Sequence, residues 1–412
     1  MGISNLDIET LYVVGAGFSH HAGLPLTSRF TEALLEAREF EGGPSRVLVN
    51  FLSEFIHRAF GHSRTASAKY WPDLEDVFTC VDLSANTGHH LGSTFSSADL
   101  RTVRRALLAR IIRMLGRRYK VARSKKSDDW RKLDDFFVST SSDAIGFISM
   151  NWDTVIERKL EVTRSDLSLD YCCDAFPAVI PRLPDIEEPH RSRSEFLAEI
   201  KRGQPISLAA VPTSRKRFEN STPVVKIHGS VNWLYCDNCR RLFWASPDEW
   251  ARVASQLISD DDLRRMNVFL KDRRSYPDAT DDDEARQTKL KCICASEVTL
   301  GTRIATFSYR KALDFPMFQR SWLAAEELLR VARRWVFIGY SLPAADYEFK
   351  YLLKRTQLSR GRQPELIVIS GGQKKSVSDT YSNYQRFFGR SIQKSSFFSS
   401  GLTSDAVAAA RG

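Results

Sequence analysis

Leu11-Tyr12-Val13-Val14-Gly15-Ala16-Gly17-Phe18-Ser19-His20-His21-Ala22-Gly23-Leu24-Pro25 is the stretch on which the fold turns. Leu11 to Val14 form a continuous apolar run. A strand that shows no alternation is one buried on both faces, as in a parallel sheet covered by helices. The run ends in Gly15-Ala16-Gly17, which lets the backbone turn sharply against a phosphate, and a helix is expected to begin near Thr27, where its first amides can add to an anion site. The spacing is not G-x-G-x-x-G, so the ordinary dehydrogenase fingerprint is absent. A bare Gly-Ala-Gly would be read as a tight strand-to-helix turn without a ligand. Ser19, Gly23, Pro25 and Arg29 around it favour the binding reading.

Four more apolar runs lie further along: Ala144 to Ser149, Val224 to Ile227, Trp335 to Tyr340, and Leu366 to Ser370. Strands alternating with helical patterns predict a Rossmann-like, doubly wound parallel sheet of the α/β class. Helical insertions and a small, zinc-ribbon-like cysteine module interrupt it. The sheet domain is expected over 1–235 and 295–375, with a helical insertion at about 40–140, the cysteine module at 236–294, and a C-terminal tail at 376–412 as an oligomer contact. Leu100, Val103, Leu107, Ile111 and Leu115 recur at helical spacing within the insertion. Loops are expected at roughly 60–72, 181–222 and 240–291, the last with an amphipathic helix from Pro247 to about Leu263 and a solvated acidic turn, DATDDDE. A second helix is expected over Tyr381 to Phe388.

At 412 residues the chain has room for roughly two to three domain-sized units, and 42% hydrophobic residues favour a packed globular protein. No apolar run approaches the ~18 residues of a membrane helix, and the N-terminus has no secretory pattern, so a cytoplasmic protein that touches no membrane is expected. Sixty Lys and Arg against fifty Asp and Glu leave a net charge of +10, compatible with nucleic acid, an anionic cofactor or an acidic partner. The densest basic segment, Arg101 to Lys126, has no aromatic-interleaved groove, and its arginines read as the solvated face of an amphipathic helix; direct nucleic-acid binding is left open. The pairs His20-His21 and His89-His90 lack ligand spacing nearby.

Seven cysteines without a secretion signal point to a reducing compartment, where close pairs suggest metal. Cys236-x2-Cys239 and Cys292-x-Cys294 could supply four thiolates to a tetrahedral structural zinc. The alternative is four reduced thiols in a loop-rich insertion. Asn151 follows a buried run at the end where α/β sheets hold ligands, and there an Asn offers a donor and an acceptor without titrating; Asn and Asp at this place also cap helices. His228 closes the run Val224 to Ile227 beside Gly229, and its ordinary pKa near 6.5 suits a base at neutral pH. A lone strand-end histidine is more often structural.

Four segments in order, GAGFSHHAGLP, Ser149 to Glu157 (SMNWDTVIE), Lys226 to Trp233 (KIHGSVNW) and Phe337 to Phe349 (FIGYSLPAADYEF), resemble the divergent prokaryotic sirtuin-like family of antiphage defence. The resemblance runs from about Leu11 to Ser370. It implies an NAD glycohydrolase that consumes NAD as substrate and gives nicotinamide and ADP-ribose. It also implies that Asn151 orients the nicotinamide ribose and the attacking water, that Asp153 contacts the nicotinamide amide, and that His228 activates a ribose hydroxyl or water. The cofactor is expected on Gly15, Ala16, Gly17, Phe18, Ser19, Pro25 and Arg29, on the second turn Gly339-Tyr340-Ser341, and at Ser370. Ser370-Gly371-Gly372 departs from relatives that carry Asn or Asp near the adenosine.

The stretch TLGTRIATFSYRKALDFP lacks the FGE-type segment of deacetylases, and GLPLTSRF lacks their DFR, so an NAD-dependent deacylase is the lesser alternative. A non-enzymatic NAD- or ADP-ribose-binding subunit of a nucleic-acid complex is a third. The compact sirtuin-like region leaves no sensor domain, which in this family goes with homo-oligomers or with a HerA-type DNA-translocating ATPase as partner.

Overall fold

In the computed structural model, Thr10–Val14 (β1) is a strand with every residue buried, because both of its faces are covered. The structure describes residues 8–36, 43–61, 71–165, 168–180, 206–207, 209–210, 221–270, 290–292, 294, 300–302, 304–305 and 316–412. Six further strands join β1: Ile145–Ser149 (β2), Ser168–Asp170 (β3), Ser221–Lys226 (β4), Arg334–Ile338 (β5), Glu365–Ile369 (β6) and Phe397–Phe398 (β7). The order is β7-β6-β5-β1-β2-β4-β3, and every pairing is parallel. The chain winds outward from β1 through β2 and then returns to place β5 on the other side of β1. That reversal opens a crevice beyond the carboxyl ends of β1 and β5, where doubly wound sheets bind ligands.

Successive residues of each strand point to opposite faces, and the core divides accordingly. Tyr12, Val14, Phe147, Val336 and Ile338 face one layer; Leu11, Val13, Ile148, Trp335 and Phe337 face the other. The first layer contains α1 (Ala16–His20), α2 (Phe30–Leu35), α3 (Gly43–Phe60), α4 (Leu74–Thr87), α5 (Ser97–Lys125), α6 (Asp128–Ser139), α7 (Val155–Thr163), α8 (Trp250–Gln256) and α9 (Asp260–Leu270). The second is built on α10 (Pro316–Val331), α11 (Tyr347–Ser359) and α12 (Lys374–Phe388), with Leu328, Leu353 and Tyr384 against the sheet. A smaller four-stranded sheet holds Ala175–Val179, Ala209–Ala210, Trp233–Tyr235 and Leu242–Trp244.

The insertion's long helix, α5, opens with a capping box: the Asp99 N–H donates to Ser96 Oγ at 3.2 Å, and the Ser96 N–H donates to Asp99 Oδ2 at 3.0 Å. Its apolar stripe, Leu100 to Leu115, is buried as its spacing requires. The arginines are not simply a solvated face. Arg104 donates to Asp82 at 2.7 Å, Arg105 pairs with the buried Asp262, and the wholly buried Arg110 donates to the Leu34 carbonyl at 2.7 Å.

Three expectations are corrected. The first helix after the glycine turn is the short α1, from Ala16, and the helix expected near Thr27 follows it separately, as a 3-10 turn at Thr27–Arg29 that leads into α2. The amphipathic stretch from Pro247 breaks after Gln256, because Ser259 and Asp262 form a fresh reciprocal cap that starts α9. The stretch 376–412 does not stand apart as a tail: α12 covers the sheet, β7 extends it, and α13 (Ser404–Arg411) buries Ala406 and Ala410 in the first core layer. The acidic run DATDDDE and most of 181–222 lie outside the described residues. Among the described residues no helix is long and apolar enough to cross a membrane.

Candidate functional site

The glycine turn after β1 and the turn after β5 touch backbone to backbone. Gly15 N–H donates to the Ile338 carbonyl at 3.1 Å, Gly17 N–H to the Gly339 carbonyl at 2.9 Å, and Gly339 N–H to the Ile369 carbonyl at 2.9 Å. A Cβ on Gly15 would stand 2.6 Å from the Gly339 oxygen, and one on Gly339, whose φ is +60°, would meet Phe18 N at 2.2 Å. These glycines are therefore demanded by the meeting of two turns at the switch point, before any ligand is considered.

Beside this junction lies a cavity of about 230 Å³. Asn151 and His228, from the segments after β2 and β4, both line it. So do Gly15, Ala16, Ser19 and Pro25 of the first turn, and Asp153, Gly339, Tyr340 and Ser341. Four other expected positions do not. Gly17 is packed under Gly339, Phe18 is buried against Phe136 and Phe137, and Ser370 is taken up by backbone bonds to Phe398 and Gly401. Arg29 is exposed and ion-paired with Glu32 at 3.0 Å.

The polar side chains at the cavity are oriented by fixed backbone groups. Asn151 Nδ2 donates to the Gly15 carbonyl at 2.9 Å and to Ser19 Oγ at 2.8 Å. A carbonyl can only accept, so the amide nitrogen must face the glycine turn, and Oδ1 is the end that remains to offer a ligand. His228 Nδ1–H donates to the Met150 carbonyl at 3.2 Å, which places the lone pair of the neutral ring on Nε2. Asp153 Oδ1 accepts from Val155 N–H at 3.0 Å and so helps turn the chain into α7, although the N-cap position itself is Thr154, with no side-chain cap bond. Tyr340 donates from its hydroxyl to Asp346 at 3.0 Å, and its carbonyl accepts from Tyr384 at 2.9 Å.

The segments that carry Asn151 and His228 are locked together from behind. Lys226, fully buried, donates to the Asp153 backbone carbonyl and pairs with Glu157 at 3.2 Å. Tyr171 donates to the same Glu157 oxygen at 3.2 Å, and Asn232 donates to the Tyr171 hydroxyl at 3.1 Å. Val231 N–H donates to the Trp152 carbonyl at 2.9 Å. Lys226, Asn232 and Glu157 thus account for much of the polar pattern in KIHGSVNW and SMNWDTVIE. Burial, opposed by Lys226, raises the pKa of Glu157.

Sequence reasoning missed part of the lining. Phe30 of α2, Glu75 of α4 and Leu115 of α5 line the cavity, brought there by packing of the insertion and marked by no local motif. Trp152 also lines it, with its Nε1–H donating to the Ala305 carbonyl at 2.9 Å. The cavity's charged side chains are the three carboxylates Glu75, Asp153 and Asp346, and no lysine or arginine lines it among the described residues.

Cys236 and Cys239 sit in the hairpin loop between Trp233–Tyr235 and Leu242–Trp244, with Cys292 and Cys294 brought against them. All four sulfurs lie within 4.8 Å of one another, with Cys236–Cys294 at 3.7 Å and Cys239–Cys292 at 3.5 Å. Thiolates 2.3 Å from a tetrahedral zinc stand about 3.8 Å apart, and a disulfide about 2 Å, so the donor set fits a metal. Burial pushes the Cys236 and Cys292 thiols up, the direction a divalent cation reverses.

These features define an α/β protein with a cavity at the topological switch point and a four-cysteine cluster that could bind a metal. No protein-family model matches the chain, and no curated protein matches its sequence.

Proposed function

We propose that the chain is a sirtuin-like NAD glycohydrolase that gives nicotinamide and ADP-ribose, consuming NAD in prokaryotic antiphage defence. One observation carries the reading: Asn151 and His228, each oriented by a backbone carbonyl, line the same cavity at the carboxyl ends of β1, β2 and β4. Its 230 Å³ is below the ~300–1,000 Å³ of pockets that enclose a whole drug-sized ligand, so it suits the nicotinamide ribose end of the dinucleotide.

In this reading the bond from the ribose C1′ to the pyridinium nitrogen breaks, and its electron pair stays with nicotinamide. Positive charge builds on the ribose, where an acidic lining free of cationic side chains among the described residues stabilises it. Asn151 Oδ1 accepts from a ribose hydroxyl or from the attacking water. His228 Nε2 takes the proton as the new C–O bond forms at C1′. Cys236, Cys239, Cys292 and Cys294 would hold a structural zinc that ties down the hairpin, and with four thiolate ligands it would take no part in the reaction. Cytoplasmic location, homo-oligomerisation and gating by a DNA-translocating ATPase belong to the same proposal.

The test is NAD turnover with product chromatography on the wild type, Asn151→Ala and His228→Ala, with and without an acetylated peptide. Release of nicotinamide without peptide, reduced at least ~100-fold in each variant, is expected for an oriented polar group and a general base. Unchanged turnover in both variants defeats the site assignment, and strictly peptide-dependent release favours the deacylase.

A further inference from the structure

On the far side of the buried Lys226–Glu157 pair is a second cavity, of about 120 Å³. Glu157 lines it with only 3% of its surface exposed. One carboxylate oxygen, Oε1, holds Lys226 and Tyr171, whereas Oε2 is buried and has no hydrogen-bond partner among the described residues. A buried carboxylate oxygen left in this way lacks a donor that its surroundings should supply. The rings of Tyr171 and Trp244, in edge-on contact at 5.7 Å, form an aromatic wall of the same cavity, and Glu161 adds a second carboxylate at its exposed rim.

The charge pattern selects the ligand. Arg164 also lines the cavity, but it donates to Thr222 Oγ1 at 3.0 Å and to the carbonyls of Thr140, Ser141 and Asp143, so it is turned toward protein acceptors and not toward an anion. Burial raises the pKa of Glu161, with Asp248 and Glu157 pushing the same way and Arg158 opposing. A cation between Glu157 and Glu161 relieves that repulsion. An ammonium head would donate to the unpartnered oxygen, and the aromatic wall would take the carbons behind it. The volume admits a short apolar body behind the head.

We propose that this second cavity binds a small organic ammonium ion, with Glu157 Oε2 accepting from the ammonium and Tyr171 and Trp244 packing on the carbon body. The proposal does not depend on NAD chemistry, because Glu157 does not line the first cavity.

Isobutylammonium chloride titrated into the full chain, followed by calorimetry and ligand-observed NMR, tests it, with isobutanol and sodium isobutyrate as size-matched controls. Saturable binding in about the millimolar range is expected for so few ligand atoms. It is expected to weaken at least tenfold in Glu157→Gln, and several-fold in Trp244→Leu and Glu161→Gln. The last two lie outside the buried network and stay informative where Glu157→Gln does not fold. No saturable binding by the wild type overturns the proposal, as does equal binding of isobutanol, or unchanged affinity in both Trp244→Leu and Glu161→Gln.

Discussion

His21 is mostly buried between α6 and the C-terminal segment, 3.7 Å from Asp129, and burial holds its ring below the ordinary imidazole pKa despite that carboxylate. The unfolded chain protonates this residue near pH 6.5, while the folded chain resists. Below about that pH the unfolded state therefore binds more protons, and stability falls until the lower folded pKa is passed. Urea unfolding at about pH 8 and about pH 5.5 should show a smaller acid loss in His21→Gln than in the wild type; equal losses would remove His21 as a cause. Gly339→Ala is expected to cost ~3 kcal/mol, from the left-handed backbone and from the 2.2 Å approach to Phe18 N. A urea midpoint close to wild type would mean that the two turns can part. Gly15 and Gly339 were legible in the sequence as residues of two turns, but their contact was not, since it is made by backbones from distant parts of the chain. Glu157, Lys226 and Tyr171 were equally hidden: each looks ordinary locally, and only the fold buries them together. That Asn151 and His228 would line the cavity was legible because each follows an apolar run at the carboxyl end of a sheet strand.

At the scale of elements, the central strands were readable because each is an unbroken apolar run covered on both faces. The edge strands β3 and β7 were not, having three and two residues and too little pattern to register. Helix α5 followed its stripe, whereas α8 and α9 were merged, because a cap inside an amphipathic stretch resembles one more polar position. The cysteine spacing pointed to the cluster directly, although pairing the two halves needed the hairpin. Metal analysis of the purified chain should find about one zinc per chain, lost in Cys239→Ser and accompanied by a lower thermal midpoint. Four thiols that titrate freely in the folded protein, with no bound metal, would contradict this.

Across the whole molecule, the two halves of the sheet come from the two sides of the chain and meet at β1 and β5. Cutting the chain after Phe388 removes β7 together with the buried Leu402, Ala406 and Ala410, and uncovers an edge of β6. Open parallel edges and bare apolar faces associate, so this truncation is expected to aggregate, as size-exclusion chromatography would show. A monodisperse truncated protein would contradict that packing. The Arg334 side chain reaches Thr10 across 324 residues of sequence, at the amino ends of β1 and β5, while Gly15 meets Gly339 beyond their carboxyl ends. Contacts of such separation form late and together. No nascent or half-refolded chain can therefore carry a finished cavity, and ligand binding and global structure should disappear at one denaturant concentration, leaving no partly unfolded form that still binds.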